Sequence, residues 1–275
     1  MRVVLLDGPM GTVLADRGVE TPAPLWSAAA LTTHPALVHQ LHCEYAQAGA
    51  TVHTANTFRT TRRAAGPTWK ALLNQAVQLA RDAAPDGHRI AGSIAPLEDC
   101  YEPARSPPCP GPEHALAANA LVAAGCDLLL CETFPHVPEG LAAVEAAVAT
   151  GAEVWVSFTA GYKADLLTPQ QIGAAASAAV QRGASAVLVN CVPARQTLDY
   201  VQRIADAGVP FGAYANAGHP TDGLGWAVTD DGPERYADLA EQWVGAGATL
   251  IGSCCGTSPA TIQALQRRFI AYQSY

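Results

Sequence analysis

Glycine punctuation is what most constrains this chain. Helix-like stretches end at Gly49, Gly125, Gly183, Gly208 and Gly247, and an apolar run rich in Val, Leu and Ile follows each at once. That order marks a helix C-cap feeding a strand. The runs fall at residues 3–8, 50–57, 89–96, 126–134, 153–160, 184–191, 209–216 and 248–255, with little polar alternation, so both faces of their sheet should be covered. Between them lie stripes at helical spacing, such as Leu72/Ala76/Leu79, Leu141/Val144/Val148, Tyr236/Leu239/Trp243 and Ile262/Leu265/Phe269. Strict β-then-α alternation, eight times over about 250 residues, predicts a single α/β domain, a (β/α)8 barrel. A doubly wound open sheet would more often show five or six strands and a G-x-G-x-x-G first turn, which is absent here.

No Pro, Gly or Ser linker divides residues 1–275, so the chain reads as one domain. Stretches 98–114 and 217–233 follow the third and seventh strands and read as loops on the active face. With 49% apolar and 15% charged residues, the chain can bury a large core. Its formal charge of -8 argues against a nucleic-acid partner, whose affinity rests on cationic contacts. The apolar start is too short for a signal peptide and no run approaches a membrane span, so a cytoplasmic protein is expected. In that reducing setting the eight cysteines should not form disulfides.

In such barrels the chemistry gathers at the C-terminal ends of the strands. The polar residues here concentrate there: Asp7, Asn56 and Thr57, Ser93, Glu132 and Thr133, Asn190 and Cys191, Asn216, and Cys254 and Cys255. One such residue alone often only caps its loop; the set points to a site. The sharpest piece is Gly252-Ser253-Cys254-Cys255-Gly256-Thr257-Ser258-Pro259. Neighbouring strand residues point to opposite faces, so two adjacent cysteines converge only where the backbone leaves strand geometry, which the flanking glycines permit. Ser258 and Pro259 form an N-cap and N1 pair, placing the cysteines beside a helix entrance. With Cys191 from the sixth strand they supply three thiolates, the protein-ligand count of an open catalytic zinc site. Three buried apolar cysteines are the bland alternative. Cys43, Cys100, Cys109 and Cys126 have no metal-ligand spacing.

At these positions the chain resembles the homocysteine S-methyltransferase family. The resemblance rests on Asp7-Gly8-Pro9-Met10-Gly11-Thr12, Ala55-Asn56-Thr57-Phe58, Ser93-Ile94-Ala95-Pro96, Glu132-Thr133, Val189-Asn190-Cys191, Ala215-Asn216-Ala217-Gly218 and residues 252–257, in the family's order. It implies Zn²⁺ on Cys191, Cys254 and Cys255 with the homocysteine thiolate as fourth ligand. Glu132 would take the substrate amino group, and Asp7 with the Gly8, Met10, Gly11 and Thr12 turn would hold the amino-acid end. Asn56 and Ser93 would join the substrate site, and Asn216 matches a residue that can approach the metal. Pro9, Ser253 and Ala215 depart from the family's usual residues, and Pro9 removes one N–H donor from the turn. The implied reaction is methyl transfer from S-methylmethionine or S-adenosylmethionine to homocysteine, giving methionine.

Three other readings compete. A separate corrinoid protein could bring the methyl group. A Schiff-base lyase would need Lys163, since the other lysine, Lys70, falls in a predicted helix. A non-catalytic zinc or thiol-binding protein would use the cysteines structurally. With residues 271–275 following the eighth unit, no folate or cobalamin module is expected. His53 reads as a packed core histidine, His136 and His219 as loop residues, and Tyr101 and Trp226 either cover the mouth or hold a sulfonium by cation–π attraction.

Overall fold

Eight parallel strands, β1 (Val4–Leu5), β2 (Val52–Thr54), β3 (Arg89–Ile94), β4 (Leu128–Phe134), β5 (Val154–Phe158), β6 (Ala186–Pro193), β7 (Phe211–Asn216) and β8 (Leu250–Ser253), pair in the order β1-β8-β7-β6-β5-β4-β3-β2. The ends of that order meet. Leu6 bridges Val52, the Asp7 N–H donates to the Val52 carbonyl at 3.0 Å, and the Thr51 N–H donates to the Leu5 carbonyl at 2.8 Å. The sheet is thus a barrel with a lightly bonded β1–β2 seam. This computed structural model describes residues 2–226 and 230–270.

Helices Pro35–Ala48, Trp69–Ala83, Gly111–Ala123, Val137–Val148, Pro169–Val180, Thr197–Ile204, Gly232–Gly245 and Pro259–Phe269 follow the strands in turn. The expected (β/α)8 alternation is therefore present, and the five punctuating glycines all take positive φ. Period-two alternation was hidden in sequence because both faces are buried. Leu6, Val52, Ala91, Leu128, Leu130, Ala186, Leu188 and Leu250 fill the barrel interior. Their strand neighbours Leu5, Ile90, Leu129, Val187 and Ile251 pack outward against the helices. None of the described helices is long and apolar enough to cross a membrane.

The differences lie at the edges. β1 and β2 are shorter than the apolar runs that contain them, because Asp7 takes the Thr54 N–H with its carboxylate and ends the ladder there. His114 sits inside the helix Gly111–Ala123, not in the loop before it. A third long excursion, between β1 and the helix Pro35–Ala48, was not expected; it holds the short helices Met10–Asp16 and Ala30–Thr33. Of the loop over 217–233, residues 227–229 lie outside the described residues, as do residues 271–275.

Candidate active site

A cavity of about 410 Å³ opens at the C-terminal mouth of the barrel. Asp7, Gly8, Met10, Gly11, Thr12, Asn56, Glu132, Cys191, Cys254 and Cys255 all line it; Ser93 and Asn216 do not. Two irregularities re-aim its walls. The β4–β5 register shifts between Cys131 and Phe134, with Thr133 at φ 63°, and the β6–β7 register shifts between Asn190 and Pro193, with Cys191 at φ 52°. A bulge with a left-handed residue breaks strict alternation, so Glu132 and Thr133, neighbours in sequence, both face the cavity.

Glu132 is held at both oxygens. Ser93 Oγ donates to Oε1 at 2.5 Å and the Tyr214 hydroxyl donates to Oε2 at 3.0 Å. Burial pushes this carboxyl up, and the two hydroxyl donors oppose the shift. Ser93 therefore stands behind Glu132 instead of in the cavity. Asn216 also stands behind, its Nδ2 donating to the Cys191 carbonyl at 2.9 Å and its Oδ1 accepting from the Gly218 N–H at 2.8 Å. Asn190 ties three strand tips together, accepting from Ser157 Oγ at 2.8 Å and donating to Thr133 Oγ1 at 2.7 Å.

Asn56 exchanges two bonds with Ser27, accepting from Oγ at 2.7 Å and donating to its carbonyl at 2.9 Å. This fixes the unexpected β1 excursion over the cavity, where Trp26 and Ser27 join the lining. Gly8 packs against Ser253 and Tyr45; a Cβ there would lie 2.8 Å from Ser253 Oγ. Thr12 Oγ1 accepts from the Gly256 N–H at 3.2 Å, tying the first turn to the cysteine loop.

The three sulfurs of Cys191, Cys254 and Cys255 lie within 4.8 Å of one another. Cys254 and Cys255 are 3.9 Å apart. The Cys191 and Cys254 sulfurs are in contact, their Cα atoms 5.9 Å apart. Two strand tips that bring sulfurs this close can equally turn them to one ion. An all-thiol set, buried on its protein side and bordering a cavity, fits a thiophilic metal with an open position. Cys43, Cys100, Cys109 and Cys126 take no part in this group. His219 is also apart from it, exposed and hydrogen-bonded through Nδ1 to Thr221 Oγ1 at 2.8 Å.

At the cavity wall, Asp7 also approaches His42 and His53, which do not line it, their polar atoms within 4.8 Å of one another. His53 is the packed core histidine expected from the sequence, with Nε2 2.9 Å from His88 Nδ1. Burial pushes the Asp7 carboxyl up to about 8, opposed by the Thr54 N–H and reinforced by Glu132. Burial pushes His42 down to about 3, and His53 beside it acts in the same direction. The unfolded chain protonates His42 near pH 6.5 while the folded protein keeps it neutral. The stability this residue allows is thus complete above pH 6.5 and is lost as the pH falls from there toward 3. His42→Leu should therefore lose about 2 kcal/mol less stability than wild type between pH 7 and pH 5. Urea unfolding at the two pH values checks it, and equal losses in both proteins would contradict it.

The family model for homocysteine S-methyltransferase matches residues 4–269. The chain belongs to the homocysteine S-methyltransferase family. It is 33% identical to the homocysteine S-methyltransferase of Escherichia coli (strain K12), covering 97% of this chain and 95% of that protein. A selenocysteine Se-methyltransferase from Brassica oleracea var. italica is 28% identical, over 98% and 90% of the two chains. Among solved structures, the metallated form of the E. coli homocysteine methyltransferase MmuM superposes with a TM-score of 0.81 at 29% identity, over 98% of this chain and 96% of that one. Membership sets aside the lyase reading, and Lys163 lies at the rim of a neighbouring cavity, over the Tyr162 ring at 5.4 Å.

Sequence reasoning missed Tyr214, Ser27 and Trp26. Tyr214 had a usable signal, since it lies two residues before Asn216 on the same strand face. Ser27 and Trp26 had none, lying in an irregular stretch far from any strand tip.

Proposed function

We propose that this enzyme transfers a methyl group from a sulfonium donor, S-methylmethionine or S-adenosylmethionine, to the thiol of homocysteine, using Zn²⁺ held by Cys191, Cys254 and Cys255. The carrying observation is that three sulfurs and one buried, doubly hydrogen-bonded carboxylate, Glu132, border one cavity. On this reading residues 1–275 form one homocysteine-binding domain in the cytoplasm, a compartment that keeps the three thiols reduced.

Bound zinc would take the substrate thiol as a thiolate near neutral pH, so no protein base is needed. Glu132 receives the homocysteine ammonium, with Ser93 and Tyr214 aiming its oxygens. Asp7 and the Gly8, Met10, Gly11 and Thr12 turn face the amino-acid end. Asn56 keeps the β1 excursion closed over it, and Asn216 fixes the Cys191 backbone. The new C–S bond forms on the homocysteine sulfur as the methyl–sulfonium bond breaks, and that bonding pair leaves on the donor sulfur as a neutral thioether. The thiol proton goes to solvent. Rate enhancement comes chiefly from holding sulfur and methyl in line and excluding water.

A donor panel of S-methylmethionine, S-adenosylmethionine, betaine and methylcobalamin with homocysteine tests this. Methionine should form from a sulfonium donor. Product from methylcobalamin alone, or from betaine alone, would overturn the donor assignment, and bound zinc without transfer to any thiol would favour the structural-zinc reading.

A further inference from the structure

A second cavity, of about 800 Å³, opens on the same mouth and shares Tyr101 and Cys255 with the first. Asp7 and Glu132, with no Lys or Arg, line the first, whereas Lys163 and Arg195 border the second together with Asp222. In a chain of net charge -8 with only 16 basic residues, two cations on one rim are a concentration worth explaining. Lys163 has no anionic partner among the described residues and rests over the Tyr162 ring. Arg195 makes only peripheral bonds to Asp222, from Nε to a carboxylate oxygen at 3.5 Å and from Nη2 to the carbonyl at 3.2 Å.

The same rim is aromatic. Tyr162 and Trp226, 55% and 48% exposed, are two of the four exposed large hydrophobic side chains among the described residues. Tyr101 meets Tyr162 edge-on at 5.2 Å. The Trp226 ring is fixed, its Nε1 donating to the Gly218 carbonyl at 2.7 Å. It lies on Gly256, whose φ of +80° suits glycine and where an added Cβ would come within 2.5 Å of the ring. An aromatic face is thereby held one residue from Cys255.

We propose that this second cavity binds the methyl donor, taking a sulfonium amino acid with its carboxylate on Arg195 and Lys163 and its S-methyl centre between Tyr101 and Trp226, facing Cys255. The proposal rests on the sulfonium-donor reading above and adds the donor's place and polarity. A zwitterionic donor has one favourable orientation here: its carboxylate meets the two cations at the outer rim, while its sulfonium is drawn to aromatic faces and to the thiolate cluster further in. Donor methyl and acceptor sulfur then meet at the wall shared by the two cavities.

Steady-state kinetics of the zinc-loaded enzyme with S-methylmethionine, S-adenosylmethionine and trimethylsulfonium test this, the last having the same cationic centre without a carboxylate. Arg195 lies on the rim with its side chain 54% exposed, so its replacement should not disturb folding. Arg195→Gln should raise KM for both amino-acid donors about ten- to a hundredfold, the cost of a lost charge-assisted bond. KM for homocysteine and kcat/KM for trimethylsulfonium should stay within about twofold, and Arg195→Lys should recover part of the loss. Equal losses with trimethylsulfonium, or no loss for the amino-acid donors in an Arg195→Gln/Lys163→Gln variant, would overturn the proposal. A wild-type enzyme that accepts methylcobalamin but no sulfonium would instead overturn the donor reading itself.

Discussion

Cys255→Ser protein is expected to purify with less than about a tenth of an equivalent of zinc, against about one equivalent in the reduced wild type, and to form no methionine. Removing one of three thiolates leaves too few ligands for an open site, and a Ser hydroxyl does not replace a soft sulfur donor. Cys191→Ser and Cys254→Ser should behave alike, since the three sulfurs form one group. Cys43→Ser and Cys109→Ser should keep full zinc, Cys109 being exposed and both standing outside that group. Elemental analysis after reduction decides the matter. Full occupancy in both Cys254→Ser and Cys255→Ser would remove the metal from this position.

Glu132→Gln should keep its zinc yet lose roughly ten- to a hundredfold in kcat/KM for homocysteine, equivalent to about 1.5–3 kcal/mol for a charge-assisted hydrogen bond. The geometry makes this substitution clean. One of the two hydroxyls, of Ser93 or Tyr214, can still donate to the amide oxygen, and the other can turn to accept from the amide nitrogen. A simple mercaptan without an amino group should be methylated almost as well by the variant as by wild type. Equal losses on both thiols would show that Glu132 acts on the reacting centre or on folding, not on the ammonium.

The barrel was legible because its signals are local: a capping glycine, a buried run and a helical stripe, repeated. Individual boundaries were less so, since the ends of β1 and β2 depend on the Asp7 carboxylate meeting the Thr54 N–H 47 residues away. In the site, ten of the twelve expected residues line one cavity, Asp7, Asn56, Glu132, Cys191, Cys254 and Cys255 expected from the strand-tip rule and Gly8, Met10, Gly11 and Thr12 only from the family resemblance, while Ser93 and Asn216 stand in its supporting layer. What a linear reading could not supply was direction. Whether Ser93 faces a substrate or a neighbouring carboxylate depends on the bulge after Cys131, and a bulge has no sequence mark when the left-handed residue is Thr133 instead of glycine.

The barrel joins its first strand to its last. Thr12 touches Gly256 across 244 residues, Asp7 takes its place beside β8, and two of the three sulfurs follow that final strand. A ribosome making this protein therefore releases seven strands before the sulfur cluster can exist. The metal cannot serve as a nucleus for folding, as it does in small zinc modules; its arrival is a late step that follows ring closure. Docking of β1 against β8 is then the step that completes the site, because it sets Asp7 and Thr12 against the segment that carries Cys254 and Cys255.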